Sequence, residues 1–142
     1  MIAIGCDHGG YELKEKVVAF LKEKNMEVKD CGCYSKDSVD YPIFGRAAAE
    51  AVASGECEKG IVICTTGIGI SISANKIPGV RCALCSDTLS AKMTRLHNDA
   101  NVLALGANIV GPGLALEITD IFLNTEFSKE ERHQRRIDLI EE

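Results

Sequence analysis

Short apolar runs alternate along the chain with longer stretches whose apolar residues recur at helical spacing. Ile2 to Cys6 predicts a first strand, and Leu13, Val17, Phe20 and Leu21 mark one face of a helix over residues 10–24. A brief strand is expected at 26–29. A polar loop through Gly32 and Asp40 follows, then an alanine-rich helix opened by Tyr41-Pro42 and ending near Gly55. Ile61 to Cys64 predicts a third strand, bounded by Gly60 and by Gly67-Ile68-Gly69, with a helix running on to about Lys76. The pattern continues with a strand at 79–85, a helix at 89–96 and a strand at 101–105. Pro112 suits the first position of the next helix, which carries Leu114, Leu116, Ile118, Ile121 and Phe122. Residues 129–141 form a last, highly charged helix.

Such regular alternation predicts one α/β domain over residues 1–142, a doubly wound parallel sheet with helices on both faces. Composition agrees: the chain is 46% hydrophobic, lacks Trp and has few aromatics, so its core is built from Ile, Val, Leu and Ala. In sheets of this kind ligands bind at the carboxyl ends of the strands. Functional residues are therefore expected just after positions 6, 64, 85 and 105.

Charge and cysteine usage narrow the classes further. The net charge of -5, with acids and bases interspersed, offers no basic stripe for nucleic acid. Seven cysteines, an odd number spread through strand-like runs, make a poor disulfide framework. No apolar run approaches the roughly 20 residues that span a bilayer, and Met1 leads into Ile-Ala-Ile-Gly without a signal-peptide pattern. The expectation is a cytoplasmic protein with reduced thiols and no membrane contact.

Four stretches could carry chemistry. Asp7-His8-Gly9-Gly10 follows the first strand, where glycines allow close backbone approach and a helix start favours an anion; it reads equally as a turn capped by Asp7. Cys64-Thr65-Thr66-Gly67-Ile68-Gly69 follows the third strand, a glycine loop whose amides can form an anion hole with a cysteine at its mouth. The spacing is neither the dinucleotide fingerprint nor a P-loop. His97-Asn98-Asp99 is expected between the fourth helix and fifth strand, as a proton-transfer group or a helix C-cap. Arg132 and Arg136, four apart within Arg-His-Gln-Arg-Arg, share a helix face and could clamp a phosphate or simply be solvated. Cys31-x-Cys33 and Cys82-x-x-Cys85 are weak as a zinc site, because Cys82 and Cys85 would point to opposite faces of a strand.

Taken in order, G-C-D-H-G-G at 5–10, D-Y-P at 40–42, C-T-T-G-I-G-I at 64–70, A-N-K-I-P-G-V-R at 74–81, H-N-D-A-N-V-L at 97–103 and R-H-Q-R-R at 132–136 cover nearly the whole chain. This set resembles the type B ribose-5-phosphate isomerases, in the family shared with galactose-6-phosphate isomerase subunits. The resemblance implies a Rossmann-like three-layer α/β/α sandwich with a five-stranded parallel sheet. It also implies a homodimer, sometimes paired as a dimer of dimers, with active sites at the subunit interface and the last helix engaged there. Neither metal nor organic cofactor is implied. The reaction would interconvert ribose 5-phosphate and ribulose 5-phosphate through a cis-enediolate. In this resemblance Cys64 is the base and Thr66 its helper. Thr65, Gly67, Ile68 and Gly69 would face the enediolate oxygens. His97, with Asp7, would open the sugar ring; His8, Arg132 and Arg136 would hold the phosphate; and Tyr41 and Asn98 would line the pocket. Thr65 stands where many members have glycine, and Asn108, beside the substrate, where many have arginine. Both departures leave six-carbon substrates such as allose 6-phosphate or galactose 6-phosphate open. A non-catalytic sugar-phosphate sensor would use the same pocket without needing a reactive Cys64.

Overall fold

The computed structural model describes residues 1–142. Five strands, β1 (Ile2–Cys6), β2 (Val28–Asp30), β3 (Lys59–Cys64), β4 (Cys82–Leu84) and β5 (Val102–Gly106), form one parallel sheet in the order β2-β1-β3-β5-β4. Six α-helices accompany them: α1 (Tyr11–Glu23), α2 (Tyr41–Ala53), α3 (Ile68–Ala74), α4 (Thr88–Asn98), α5 (Pro112–Asn124) and α6 (Glu131–Glu141). The three-layer α/β sheet expected from the alternation is the observed architecture.

Period-two alternation along the strands sorts the core into two layers. Ile2, Ile4, Cys6, Ile61, Ile63, Leu103 and Leu105 face one way, against Leu13, Val17 and Leu21 of α1, Ala91 of α4 and Ala115, Ile118 and Phe122 of α5. Ala3, Val62, Cys64, Val102 and Ala104 face the other, against Ala48, Ala49 and Val52 of α2 and Ile70 and Ala74 of α3. The second layer is built from small side chains, so its helices sit close. At Gly5 a Cβ would come within 2.5 Å of the Phe44 carbonyl oxygen. Alanine in α2 is therefore a packing requirement as well as a helix preference.

Element boundaries moved where local turn chemistry overrode the apolar pattern. β4 begins at Cys82 rather than 79, because Ile77-Pro78-Gly79 turns, with Gly79 at φ +86° and the Val80 amide donating to the Ile77 carbonyl. α4 starts one residue after Asp87, whose carboxylate accepts from Ser90 N–H, and runs on through Asn98. His97 and Asn98 are thus the last helical residues rather than a linker. Asp99 is the left-handed C-cap at φ 44°.

Candidate active site

β1 and β3 are neighbours whose connections leave in opposite directions, which makes the gap above them the switch point of the sheet. Two of the anticipated stretches meet there. Asp7 follows β1 and is buried. Its backbone N–H donates to the Ile63 carbonyl, and its Oδ1 accepts from Gly10 N–H at 3.1 Å, capping the single 3-10 turn His8–Gly10. The capping reading of Asp7 is therefore correct as geometry, while the turn it caps is what carries exposed His8 to the rim.

Cys64 ends β3, 4% exposed, and its Sγ accepts the Gly67 N–H at 3.1 Å. Thr66 Oγ1 accepts the Ile68 N–H at 3.2 Å, so a second amide of the 65–69 loop is held by the loop itself. The tight return needs Gly67: φ is +77°, and a Cβ would lie 2.8 Å from the Leu105 carbonyl carbon and 2.9 Å from the Gly106 nitrogen. Gly67→Ala is expected to cost about 2–4 kcal/mol, from the left-handed backbone plus overpacking against β5. Gly79→Ala, at a similar φ but with nothing near its Cβ, should lose only the backbone part. Urea unfolding of both variants checks this, and equal losses would mean that contact with β5 does not matter.

The neighbours of this loop are brought in by the strands beside it. After β5 the Ala107 and Asn108 amides donate to the Cys64 and Thr65 carbonyls, both at 2.9 Å, which sets exposed Asn108 beside Thr65. Tyr41, at the start of α2, lies on Gly69, where a Cβ would be 2.5 Å from its ring. Thr65 is exposed and its hydroxyl presses on Gly9, leaving no room for a side chain there. Asp7, His8, Tyr41, Cys64, Thr65, Thr66, Gly67, Ile68, Gly69 and Asn108 thus share one rim.

His97, Asn98, Arg132 and Arg136 do not. Val102 pairs with Gly60 and Gly106 with Cys64, so the length of β5, roughly 13 Å at strand rise, separates the two levels. α4 descends to the far, amino-terminal end of the sheet before entering β5. Arg81, just ahead of β4, donates to the Asn98 and Asp99 carbonyls at 2.9 and 2.8 Å there. α6 lies against α4, with the rings of His97 and His133 stacked at 4.1 Å and 17°. Within one chain, His97 cannot meet Cys64.

The second group has its own electrostatics. Arg132 is paired with Glu130 at 3.0 Å, and Arg136 is exposed. His133 is buried; desolvation, then the charges of His97 and Arg132, hold its pKa below the ordinary histidine value, against the opposing pull of Glu130. The sequence pattern pointed to the arginines of this run and passed over His133; only the helix–helix contact reveals it as the partner of His97. The largest cleft, about 640 Å³, is also at this end, lined by Asn75, Lys76, Arg81, Asn98 and Ile140 among others, and not at Cys64. The Cys64 rim in a single chain is an open shelf.

Burial raises the thiol pKa of Cys6 to about 12 and of Cys85 to about 11, and raises those of Cys31, Cys57 and Cys82 as well. Cys85 lies in the α1/α5 layer and Cys82 packs against the α2/α3 layer, which separates the pair across the sheet.

Comparison with known proteins follows the same outline. The family profile described as Ribose/Galactose Isomerase matches residues 2–140. Ribose-5-phosphate isomerase B of Escherichia coli K12 is 48% identical over 139 residues, covering 98% of this chain and 93% of the relative. A galactose-6-phosphate isomerase subunit of Clostridium acetobutylicum is 44% identical over 142 residues, covering 100% of this chain and 82% of the relative. The structure of ribose-5-phosphate isomerase B from Clostridium thermocellum superposes with a TM-score of 0.97 at 55% identity, covering 99% of this chain and 94% of that one. Fold, motif order and full-length similarity agree, and the chain belongs to the ribose/galactose isomerase family.

Proposed function

We propose that this isomerase interconverts ribose 5-phosphate and ribulose 5-phosphate, with Cys64 carrying the proton between C2 and C1. The observation that supports this most directly is the placement of Cys64 Sγ at the switch point, hydrogen-bonded to Gly67 N–H at the mouth of a glycine loop. A thiolate that removes the C2 proton of the open-chain aldose leaves a cis-enediolate, and the same thiol returns the proton to C1 to give the ketose. Backbone amides of the 65–69 loop other than those of Gly67 and Ile68, which the loop itself engages, stabilise the enediolate oxygens as charge develops. Thr66 keeps the loop closed through Ile68 and positions the base. Ring opening needs a proton donor at the ring oxygen and an acceptor at the C1 hydroxyl, roles suited to His97 and Asp7. Proton transfer and charge stabilisation complete this reaction, so no metal or organic cofactor enters it.

The site is completed by a second copy of the chain. Cys64 and His97 stand at opposite ends of the sheet, and the Cys64 rim carries unpaired apolar side chains: Tyr41, Ile43, Ile68, Ile72, Leu84 and Leu89 are 39% to 67% exposed. A patch of this kind beside an open edge strand suits a protein interface. A twofold dimer that covers it brings His97, Asn98, Arg132 and Arg136 of one protomer to Cys64 of the other. Pairing of such dimers would bury further surface without adding to the site. The medium is the cytoplasm, where Cys64 stays reduced.

His8, Arg132 and Arg136 hold the phosphate, far from the reacting carbons, so that remote binding energy orients them. Arg132→Ala should raise KM for ribose 5-phosphate about ten- to hundredfold, the worth of a charge-assisted contact, with kcat nearly unchanged. A loss confined to kcat would remove Arg132 from the phosphate site.

Exposed Thr65 and Asn108 favour testing six-carbon substrates alongside, because both border the shelf that a longer sugar would occupy. The deciding experiment is ketose formation from ribose 5-phosphate, allose 6-phosphate and galactose 6-phosphate, compared by kcat/KM. Preference for the five-carbon substrate supports the reading; preference for a six-carbon one replaces it. Binding of all three without turnover would make the protein a sensor.

A further inference from the structure

The β2–α2 loop reaches the site at a point that neither the motifs nor the reaction account for. The Val39 main-chain N–H donates to His8 Nδ1 at 3.2 Å. An imidazole nitrogen that accepts a hydrogen bond carries no proton, so this contact selects, for the neutral ring of His8, the tautomer with its hydrogen on Nε2. We propose that the Val39 amide is a positioning group that locks His8 in the Nε2–H tautomer and points that N–H outward as a neutral donor to the substrate's phosphate. This rests on the phosphate role of His8 given above and adds how the side chain is prepared for it.

The loop that carries this amide is anchored at its start. Lys14, on α1, has a fully buried side chain whose ammonium donates to both oxygens of Asp30, each at 2.9 Å, and to the Cys33 carbonyl at 2.6 Å. Asp30 Oδ1 accepts the Gly32 N–H at 2.9 Å, and Tyr34 OH donates to the Asp30 carbonyl at 3.0 Å. Residues 31–33 continue beside β1: the Cys31 amide donates to the Ile4 carbonyl, the Cys6 amide to the Gly32 carbonyl, and the Cys33 amide to the Cys6 carbonyl. The tip is tied by Lys36 to Glu12, and the far end runs into Asp40 and the first turn of α2. A buried ammonium with three acceptors costs desolvation that a merely solvated loop would not require. Its effect is to anchor the start of the segment that leads to Val39. Asp7 stabilises the other side, because its cap on Gly10 orients the turn that bears His8.

Tautomer state has a spectroscopic signature that folding alone does not produce. In long-range proton–nitrogen spectra at about pH 8, where an ordinary histidine is neutral, His8 should show a pyridine-type Nδ1 and a pyrrole-type Nε2. Adding inorganic phosphate should move Nε2 more than Nδ1. Val39→Pro removes the N–H and also replaces a side chain packed against the core and fixes φ; the spectrum should shift toward mixed tautomers, and KM for ribose 5-phosphate should rise about three- to tenfold, the worth of a hydrogen bond, with kcat kept. A second pair guards against a misfolded variant: the amide nitrogen of Gln reaches the Nε2 position and that of Asn the Nδ1 position. His8→Gln should therefore bind inorganic phosphate more tightly than His8→Asn. A pyrrole-type Nδ1 in the wild type, an unchanged spectrum in Val39→Pro, or the reverse order of the Gln and Asn variants would overturn the proposal. The spectra test it even if ribose 5-phosphate is not the substrate.

Discussion

Cys64→Ala should lose ketose formation by about a thousandfold or more while unfolding with nearly the wild-type midpoint. A positioned base contributes roughly 10² to 10⁴ in rate, and here the same group must both take and return the proton. Truncation removes one sulfur from a buried site, which costs about 1 kcal/mol, and leaves the Gly67 N–H without its acceptor. Cys64→Ser separates the two effects. Its hydroxyl can still accept the Gly67 hydrogen bond, so stability should recover, but it is far too weak a base to replace a thiolate near neutral pH. Rates should come from ketose formation and from exchange of the C2 proton with deuterated solvent. Turnover by Cys64→Ala within tenfold of wild type would assign the proton transfer to another group.

Mixing two inactive variants should restore activity. Cys64→Ala and His97→Ala each disable every site of a homodimer in which Cys64 comes from one protomer and His97 from the other. In a mixed dimer, the protomer with intact Cys64 meets the protomer with intact His97 at one of the two sites, and the other site carries both lesions. Random exchange makes half the dimers mixed, so the mixture should reach about one quarter of wild-type activity under twofold symmetry. The length of β5 between the two levels forbids the alternative in which both groups act within one chain. If the mixture stays as inactive as its components after demonstrated subunit exchange, His97 does not serve the Cys64 of a partner. The same experiment reads the assembly, because an unmixed monomer would show no recovery at any ratio.

Most of the sheet was legible in the amino-acid order. Apolar runs of strand length, helical spacing at Leu13, Val17 and Leu21, and glycine at the strand ends are local signals, and the observed elements follow them. The positions of Asp7 and Cys64 above the switch point were equally accessible, since parallel order and right-handed crossovers leave few choices for where β1 and β3 lie. The boundaries of β4 and α4 were less so: an apolar stretch at 79–85 reads as strand, whereas a Pro-Gly turn and the Asp87 cap decide where the backbone can pair. That decision is set by hydrogen bonds rather than by hydrophobic period.

What the sequence alone determined is the fold class and the family, because each is carried by residues close together in the chain. What only the tertiary structure decided is how those residues are grouped. Cys64 and His97 look like members of one constellation on paper, yet β5 holds them at opposite ends of the sheet. His133 is a bystander in the arginine run until α6 stacks it on His97. Val39 carries no motif, yet its amide is the partner of His8, on a loop whose start Lys14 holds. The physical reason is common to all three. Hydrogen bonds and ring contacts between distant segments depend on packing at ångström scale, and neither composition nor periodicity records it.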